Sequence, residues 1–529
     1  MEHIEVFLIG LFLAVAGLST LARRLSIPYP ILLVIGGLVL GVVPGLPEVE
    51  LEPDLVLVIF LPPLLFYAAF NSSLRDLRAD ARAISLTSIG LVLATTCAVA
   101  VIAHEAIDGM PWAMAFALGA IVSPTDPVAA TAIMRRLSVP RRLVTVVEGE
   151  SLVNDASALI AYRVAVAAAV GGTFSLGEAA LDFVVAAGGG VAVGLAAGWV
   201  IGEVRRRLDD PPTEITVSLL TGYAAYVPAE QLGLSGVLAA VTAGLYIGRL
   251  SPEISTGRMR IQGFATWDVL VFVLNATLFL LIGLQLNTIL DGLSGYSTGE
   301  LLGYAALIAG TVIVMRIVWS FTMPYVIRAL DRRPRQRERR AGAAFRMVAA
   351  WSGMRGAVSL AAALALPLET DAGAPLPERN LILFLTFAVI LATLVLQGLT
   401  LPALIRALRI RDDGADRERE ELRARLVAAR AALDALDGLV EQDWTRDDTI
   451  ERMRNLYDYR LRRFGARAGK VPDDGYEDRS LSYQRAVQSV IAAQHRAVVD
   501  LRNQGEIADD VMRQIERELD LEEERLEIT

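Results

Sequence analysis

At 529 residues, 54% hydrophobic and only 21% charged, with a mean hydropathy of +0.47, the chain does not read as a soluble globular protein. Its net charge of −9, with no basic patch of nucleic-acid type outside the loops, excludes a nucleic-acid partner. A single cysteine, Cys97, inside an apolar run excludes a disulfide framework.

Apolar runs of about 18–25 residues, the length a helix needs to cross a bilayer, recur up to residue 410. They predict about thirteen spans, near 4–22, 29–46, 53–70, 83–104, 112–134, 142–170, 177–203, 212–230, 234–249, 264–287, 299–328, 341–367 and 379–408. The acidic start, without a basic n-region, predicts a retained first helix rather than a cleaved signal. Alternate loops carry arginines: Arg23 and Arg24; Arg75, Arg78 and Arg82; Arg135, Arg136, Arg141 and Arg142; Arg205 to Arg207; Arg258 and Arg260; Arg332 to Arg340; Arg406, Arg409 and Arg411. The intervening loops are acidic or bare, with Glu48, Glu50 and Glu52, then Glu105 and Asp108, then Asp291, then Glu369 and Asp371. The positive-inside rule therefore expects an outside N-terminus and a cytoplasmic tail, which requires an odd number of spans.

Two spans break helix chemistry at corresponding places. The fifth contains Ser123-Pro124-Thr125-Asp126-Pro127 and the twelfth Ser352-Gly353-Met354-Arg355-Gly356. Spans 1–6 and 8–13 are expected to form inverted six-helix repeats around the seventh, and interrupted helices at matching positions point to a transporter site. Residues 411–529 read as a soluble helical tail, with segments at 416–437 and 447–464 and a turn at Val471–Gly475. Its last helix is expected to carry an apolar stripe of Ile507, Val511, Ile515 and Leu519. Such a tail packs on itself as a small bundle or serves regulation or dimer stability.

The sixth span carries Glu148-Gly149-Glu150-Ser151-Leu152-Val153-Asn154-Asp155, and polar residues at bilayer depth each need a partner or a job. Ser151 and Asp155, four apart, share a helix face, and Glu148 lies on nearly the same face about two turns away. A hard monovalent cation wants oxygen ligands, so Asp155 is the natural one. Desolvation favours the protonated form of a carboxylate, so a proton competes for the same group. In the fifth span, Pro124 and Pro127 lack N–H groups and free the carbonyls of Ala120 and Ser123. The Thr125 hydroxyl adds a further oxygen. Asp126, at the start of a half-helix, is either a dipole compensator or a direct ligand. Arg355 either balances half-helix C-termini or pairs with Glu150. Asn275 and Arg316 are expected as interhelical contacts, and Arg163 as the partner of a carboxylate. With no Walker loop, dinucleotide turn, Cys/His cluster or nucleophile elbow, neither enzyme chemistry nor a cofactor is expected, and transport should be secondary. Paired broken helices favour a carrier over a channel, which would need a filter-like repeat. Ser151 and Asp155 together weigh against a sensor that binds ions without moving them.

The run Ser123 to Ala129, the stretch Glu148 to Asp155, Gly353 to Leu360, and Leu61-Pro62-Pro63-Leu64-Leu65-Phe66 together resemble the sodium/proton antiporters of the NhaP/NHE type, the first monovalent cation:proton antiporter family. The resemblance covers the whole membrane domain, 1–410. It implies thirteen helices in a homodimer, with a mobile core around the crossed fifth and twelfth spans; with no organelle signal in the sequence, the cell membrane is the expected location by default. It implies exchange of Na⁺ (or Li⁺, or in a variant K⁺) for protons by alternating access, electroneutral because of the Asn154-Asp155 pair. Asp155 and Ser151 would bind the cation with Thr125, Asn154 would orient the site, Asp126 would balance the crossover, and Glu150 would pair with Arg355. The third span departs from some members, with Tyr67 and Ala68 where those place an acidic residue.

Overall fold

In the computed structural model the apolar runs are helices, because in hydrocarbon every backbone polar group must be satisfied within the segment. The structure describes residues 2–528 except 26, 44–52, 172–174, 292, 294, 331–340 and 413. The acidic loop residues Glu48, Glu50 and Glu52 and the run Arg332 to Arg340 lie outside the described residues. The chain divides into two compact units, Met1–Asp412 and Asp413–Thr529.

The first unit is helical throughout its described residues, apart from an isolated bridge between Glu369 and Pro375. Its helices are α1 (Glu2–Leu25), α2 (Tyr29–Gly41), α3 (Pro53–Phe70), the short α4 (Leu74–Ala79), α5 (Ala81–Ala106), α6 (Trp112–Val122) and α7 (Val128–Arg136). They continue with α8 (Arg141–Gly171), α9 (Leu176–Arg205), α10 (Pro211–Gln231), α11 (Gly236–Ile254), α12 (Gly257–Leu284) and α13 (Leu286–Asp291). The last are α14 (Thr298–Leu330), α15 (Ala343–Trp351), α16 (Ala357–Leu364) and α17 (Arg379–Ala407). Among the described residues, six of these, α5, α8, α9, α12, α14 and α17, are long and apolar enough to cross a membrane. Shorter apolar helices, α2, α3 and α6, stand beside them.

Burial sorts these helices. The apolar stretch of α17 is 72% buried, whereas those of α9 and α14 are 22% and 28% buried and turn residues such as Leu181, Trp199 and Leu302 outward. Outward apolar side chains on uninterrupted helices suit a lipid surface rather than water. The largest core joins α1, α2, α5 to α8 and α12 to α17, and includes fully buried Phe279, Phe387, Met114 and Leu118. Helices approach closely where side chains are absent: a Cβ on Gly37 of α2 would lie 2.9 Å from the Cα of Gly283 in α12. In α3, Pro63 cannot donate to the Ile59 carbonyl, and the Tyr223 hydroxyl from α10 does so at 2.8 Å.

The second unit comprises α18 (Ala415–Leu439), α19 (Asp447–Arg467), α20 (Tyr476–Asn503) and α21 (Asp509–Ile528). Leu422 and Leu426 of α18 pack on Phe464 of α19. Arg463 pairs with Glu477 at 2.9 Å and holds that carboxyl below its ordinary range. The apolar stripe is shorter than its spacing predicts. Ile507 is half-buried but precedes α21, Val511 is exposed, Ile515 is half-buried and Leu519 is buried.

Candidate functional site

Two helices stop in the middle of the first unit, and their breaks meet. Helix α6 ends at Val122, where the Ser123 hydroxyl donates to the Ala120 carbonyl at 3.0 Å, replacing the N–H that Pro124 lacks. Helix α7 resumes at Val128, whose N–H donates to Asp126 Oδ1 at 2.8 Å. The other break separates α15 from α16, and the two are joined by the Asp126 N–H donating to the Met354 carbonyl at 2.8 Å. Asp126 also lies against Gly356, the residue that opens α16: a Cβ there would overlap Asp126 Oδ2 and lie 2.6 Å from its Cβ and Cγ. One carboxylate thus faces the positive ends of two half-helices, as its dipole-compensating reading expects. Gly356→Ala is expected to push the two breaks apart, destabilising the fold by about 1–3 kcal/mol and slowing transport; a melting curve and a flux assay of the variant check both.

Arg355, 1% exposed, serves the negative ends. Its Nε donates to the Val122 carbonyl at 3.0 Å, its guanidinium also reaches the Gly353 carbonyl, and its N–H donates to Thr393 Oγ1 at 3.1 Å. Thr393 opens a π-helical turn within α17. Of the two readings of Arg355, balancing the C-terminal ends of α6 and α15 is the one observed.

The expected Glu150–Arg355 pair is therefore corrected. Buried Glu150 pairs with Arg316 of α14, with Nη2 donating to Oε2 at 3.2 Å and Nη1 to Oε1. Arg316 is an interhelical contact, as expected, and also donates through Nε to the Ala350 carbonyl at 3.1 Å and through Nη2 to that of Ala349 at 3.2 Å. Gly353 makes room for it, since a Cβ there would overlap the Arg316 side chain. The guanidinium of Arg355 is already committed to carbonyls, and Arg316 meets the carboxylate.

Around Asp155, α8 is stitched to the first break. Ser151 Oγ donates to the Thr125 carbonyl at 2.7 Å, and Asn154 Nδ2 donates to that carbonyl at 3.1 Å and to Thr125 Oγ1 at 3.0 Å. The Thr125 hydroxyl in turn donates to Glu150 Oε1 at 3.2 Å. Thr125, expected as a ligand, is thus bonded on both of its oxygens, and one lone pair of its hydroxyl remains. Asn154 Oδ1 is buried without a partner. Asp155 differs from all of these: it is 7% exposed and, among the described residues, has no hydrogen bond and no ion pair. It lines a cavity of about 710 Å³ together with Ser151, Thr125, Asp126 and Asn275. Among the described residues Asn275 donates only within its own helix, to Val271 at 3.0 Å. Glu148, paired with Arg135 at 2.8 Å, sits at the rim, where Asn71 and Ser72 also line the cavity. Arg163 has its carboxylate partner in Glu230, away from the site.

One carboxylate of the cavity escaped the sequence reasoning. Asp268 of α12 lines the same cavity and accepts from the Tyr67 hydroxyl at 2.5 Å. A lone carboxylate in an apolar helix was the available signal. Among the described residues no group of three or more His, Cys, Asp or Glu is placed to hold a resident metal. The arrangement offers one uncommitted carboxylate, with a hydroxyl beside it, at the junction of two broken helices.

Residues 10–407 match the family described as sodium/hydrogen exchanger, transmembrane. The chain is 37% identical over 525 residues to an uncharacterized Na⁺/H⁺ exchanger of Mycobacterium tuberculosis, covering 98% of this chain and 96% of that one. It is 34% identical over 413 residues to a sodium, potassium, lithium and rubidium/H⁺ antiporter of Bacillus pumilus, covering 76% of this chain and 61% of that one. Its fold is like that of the sodium proton antiporter MjNhaP1 from Methanocaldococcus jannaschii, with a TM-score of 0.60 at 19% identity over 77% of this chain and 99% of that one.

Proposed function

Because the chain belongs to the sodium/hydrogen exchanger family, we propose that it is a secondary antiporter in which cation and proton compete for Asp155. The observation that carries this is the state of Asp155, a buried carboxylate without an internal partner that opens onto a cavity. Among the described residues the other charged groups at the crossover, Asp126, Glu150 and Arg355, are bonded to hold the frame, and Asp155 is the carboxylate left for the cargo. A cation takes oxygen from Asp155 and the Ser151 hydroxyl, whose proton is committed to Thr125 while its lone pairs are not, with the Thr125 hydroxyl at the edge of the site. A proton neutralises the same carboxylate and releases the cation. One negative group that must be neutralised to cross a low-dielectric barrier carries either partner but not both. The exchange is then one cation per proton, electroneutral, with Asn154 and Asp126 holding the site and Arg316 and Arg355 holding the frame.

The cavity reaches Asn71, Ser72 and Arg135, beside the arginine-bearing loops. With those loops in the cytoplasm, this conformation opens inward and alternating access closes that side and opens the other. Residues 1–410 form the exchange domain, with thirteen spans in inverted six-helix repeats, the N-terminus outside, and a homodimer in the cell membrane. Residues 411–529 form a cytoplasmic regulatory tail. The cargo is Na⁺ or Li⁺. The name of the Bacillus pumilus relative includes K⁺, the variant cargo already among the ions to test. The test is proton flux in proteoliposomes with Na⁺, Li⁺ and K⁺ added separately: a cation that collapses an imposed pH gradient supports exchange and ranks the ions. No proton movement with any of them between about pH 5.5 and 9, a span that brackets neutrality as carrier carboxylates must, overturns it.

A further inference from the structure

Asp268 lies on α12 four residues into the expected span 264–287, with its side chain exposed on the access cavity rather than packed away, and a carboxylate in an apolar span calls for a task. It is held in place rather than loose. The Tyr67 hydroxyl donates to its Oδ1 at 2.5 Å, the Tyr67 ring stacks on Trp267 at 5.0 Å and 9°, and buried Trp267 donates its indole N–H to Ser218 at 3.0 Å. No arginine or lysine among the described residues pairs with Asp268. Its remaining lone pairs, with those of the Tyr67 oxygen, belong to the cavity that Asp155 lines from its buried end. The other charged groups of that cavity are already answered: Asp126 by two half-helix ends, and Glu148 and Arg135 by each other. Asp155 is more than nine-tenths buried, and among the described residues neither it nor Asp268 pairs with a protein cation, so the cavity carries two carboxylates open to a mobile one. Walls of low dielectric focus such a field on a mobile cation.

We propose that Asp268 and the Tyr67 hydroxyl form a second cation station in the access cavity, which holds a hydrated monovalent cation before it reaches Asp155. A carboxylate and a phenol oxygen are hard donors suited to that cargo. A cavity of about 710 Å³ has room for the ion's water. Asp268 contacts the cation, and Tyr67 is a positioning residue that fixes the carboxylate. The inference rests on the exchange reading above, and its test separates the two.

Initial rates against Na⁺ concentration are measured in proteoliposomes for wild type, Asp268→Asn, Asp268→Glu and Tyr67→Phe. Asp268→Asn is expected to raise KM for Na⁺ about three- to tenfold with Vmax little changed, because attraction to the cavity is lost while Asp155 is intact. Asp268→Glu restores KM, and Tyr67→Phe, which keeps charge and ring stacking, raises it by less. Added N-methylglucamine chloride raises the wild-type KM by screening and has little effect on Asp268→Asn, a dependence that a merely structural role would not produce. A direct readout needs no transport. In an Asp155→Asn background Na⁺ still raises the melting midpoint relative to an equal concentration of N-methylglucamine, and adding Asp268→Asn or Tyr67→Phe removes or weakens that rise. Wild-type exchange with an unaltered KM in Asp268→Asn, or in Tyr67→Phe if the first variant does not fold, overturns the station and leaves the exchange reading standing. A wild type without exchange overturns that reading and the station with it.

Discussion

Asp155→Asn is expected to reduce cation-driven proton movement to the level of empty liposomes while the protein remains folded and purifies as wild type does. The amide matches the carboxylate in shape and cannot take up or release a proton in the working pH range. Asp155 has no internal hydrogen bond or ion pair among the described residues, so the substitution removes none. It also removes an unpaired buried charge, which is a liability to the folded state, so the melting midpoint should hold or rise. This separates Asp155 from its neighbours. Asn154 and Ser151 bind Thr125, and replacing them disturbs the frame as well as the site. Flux in proteoliposomes and a melting curve of the same preparation read the two consequences independently. Persistent wild-type flux in Asp155→Asn removes the carboxylate from the mechanism. Lost flux with a collapsed melting curve shows that it was structural.

The same contrast explains what could be read along the chain. Helices followed from apolar runs because a membrane segment has one way to satisfy its backbone, and α6, α7, α15 and α16 begin and end around the breaks that Pro124, Pro127, Gly353 and Gly356 predict. The polar stretch of α8 was visible because Ser151 and Asp155 repeat at helical spacing in an apolar setting. Pairings between distant helices follow no spacing. Glu150 and Arg316 are 166 residues apart, and Tyr67 and Asp268 are 201. Two arginines in broken or apolar segments competed for one buried acid. Which of them wins depends on where each guanidinium finds carbonyls, and that depends on how the breaks dock. The tail shows the converse: a four-residue repeat through Ile507 was real as a pattern, but the helix starts after it.

Arg316→Ala is the second substitution with a large expected effect, and it acts on stability. Arg316 and Glu150 are each buried, and the guanidinium also satisfies the carbonyls of Ala349 and Ala350 at the end of α15. Removing the arginine strands a carboxylate without a cation and takes the side-chain donor from the Ala350 carbonyl, while the Ala349 carbonyl keeps only the Ser352 hydroxyl at 2.8 Å, at a cost of roughly 3–5 kcal/mol. The melting midpoint in detergent should fall sharply, and expression with it. Pairing is separated from simple loss of packing by a double-mutant cycle. Glu150→Gln with Arg316→Met removes both charges while keeping much of the volume, and is expected to be more stable than Arg316→Met alone. The same cycle between Glu150 and Arg355 should give a smaller coupling, because Arg355 makes its hydrogen bonds to Val122, Gly353 and Thr393 instead. Arg316→Ala with an unchanged melting midpoint, or a stronger coupling of Glu150 to Arg355 than to Arg316, would return the acid to Arg355, the partner expected from the sequence.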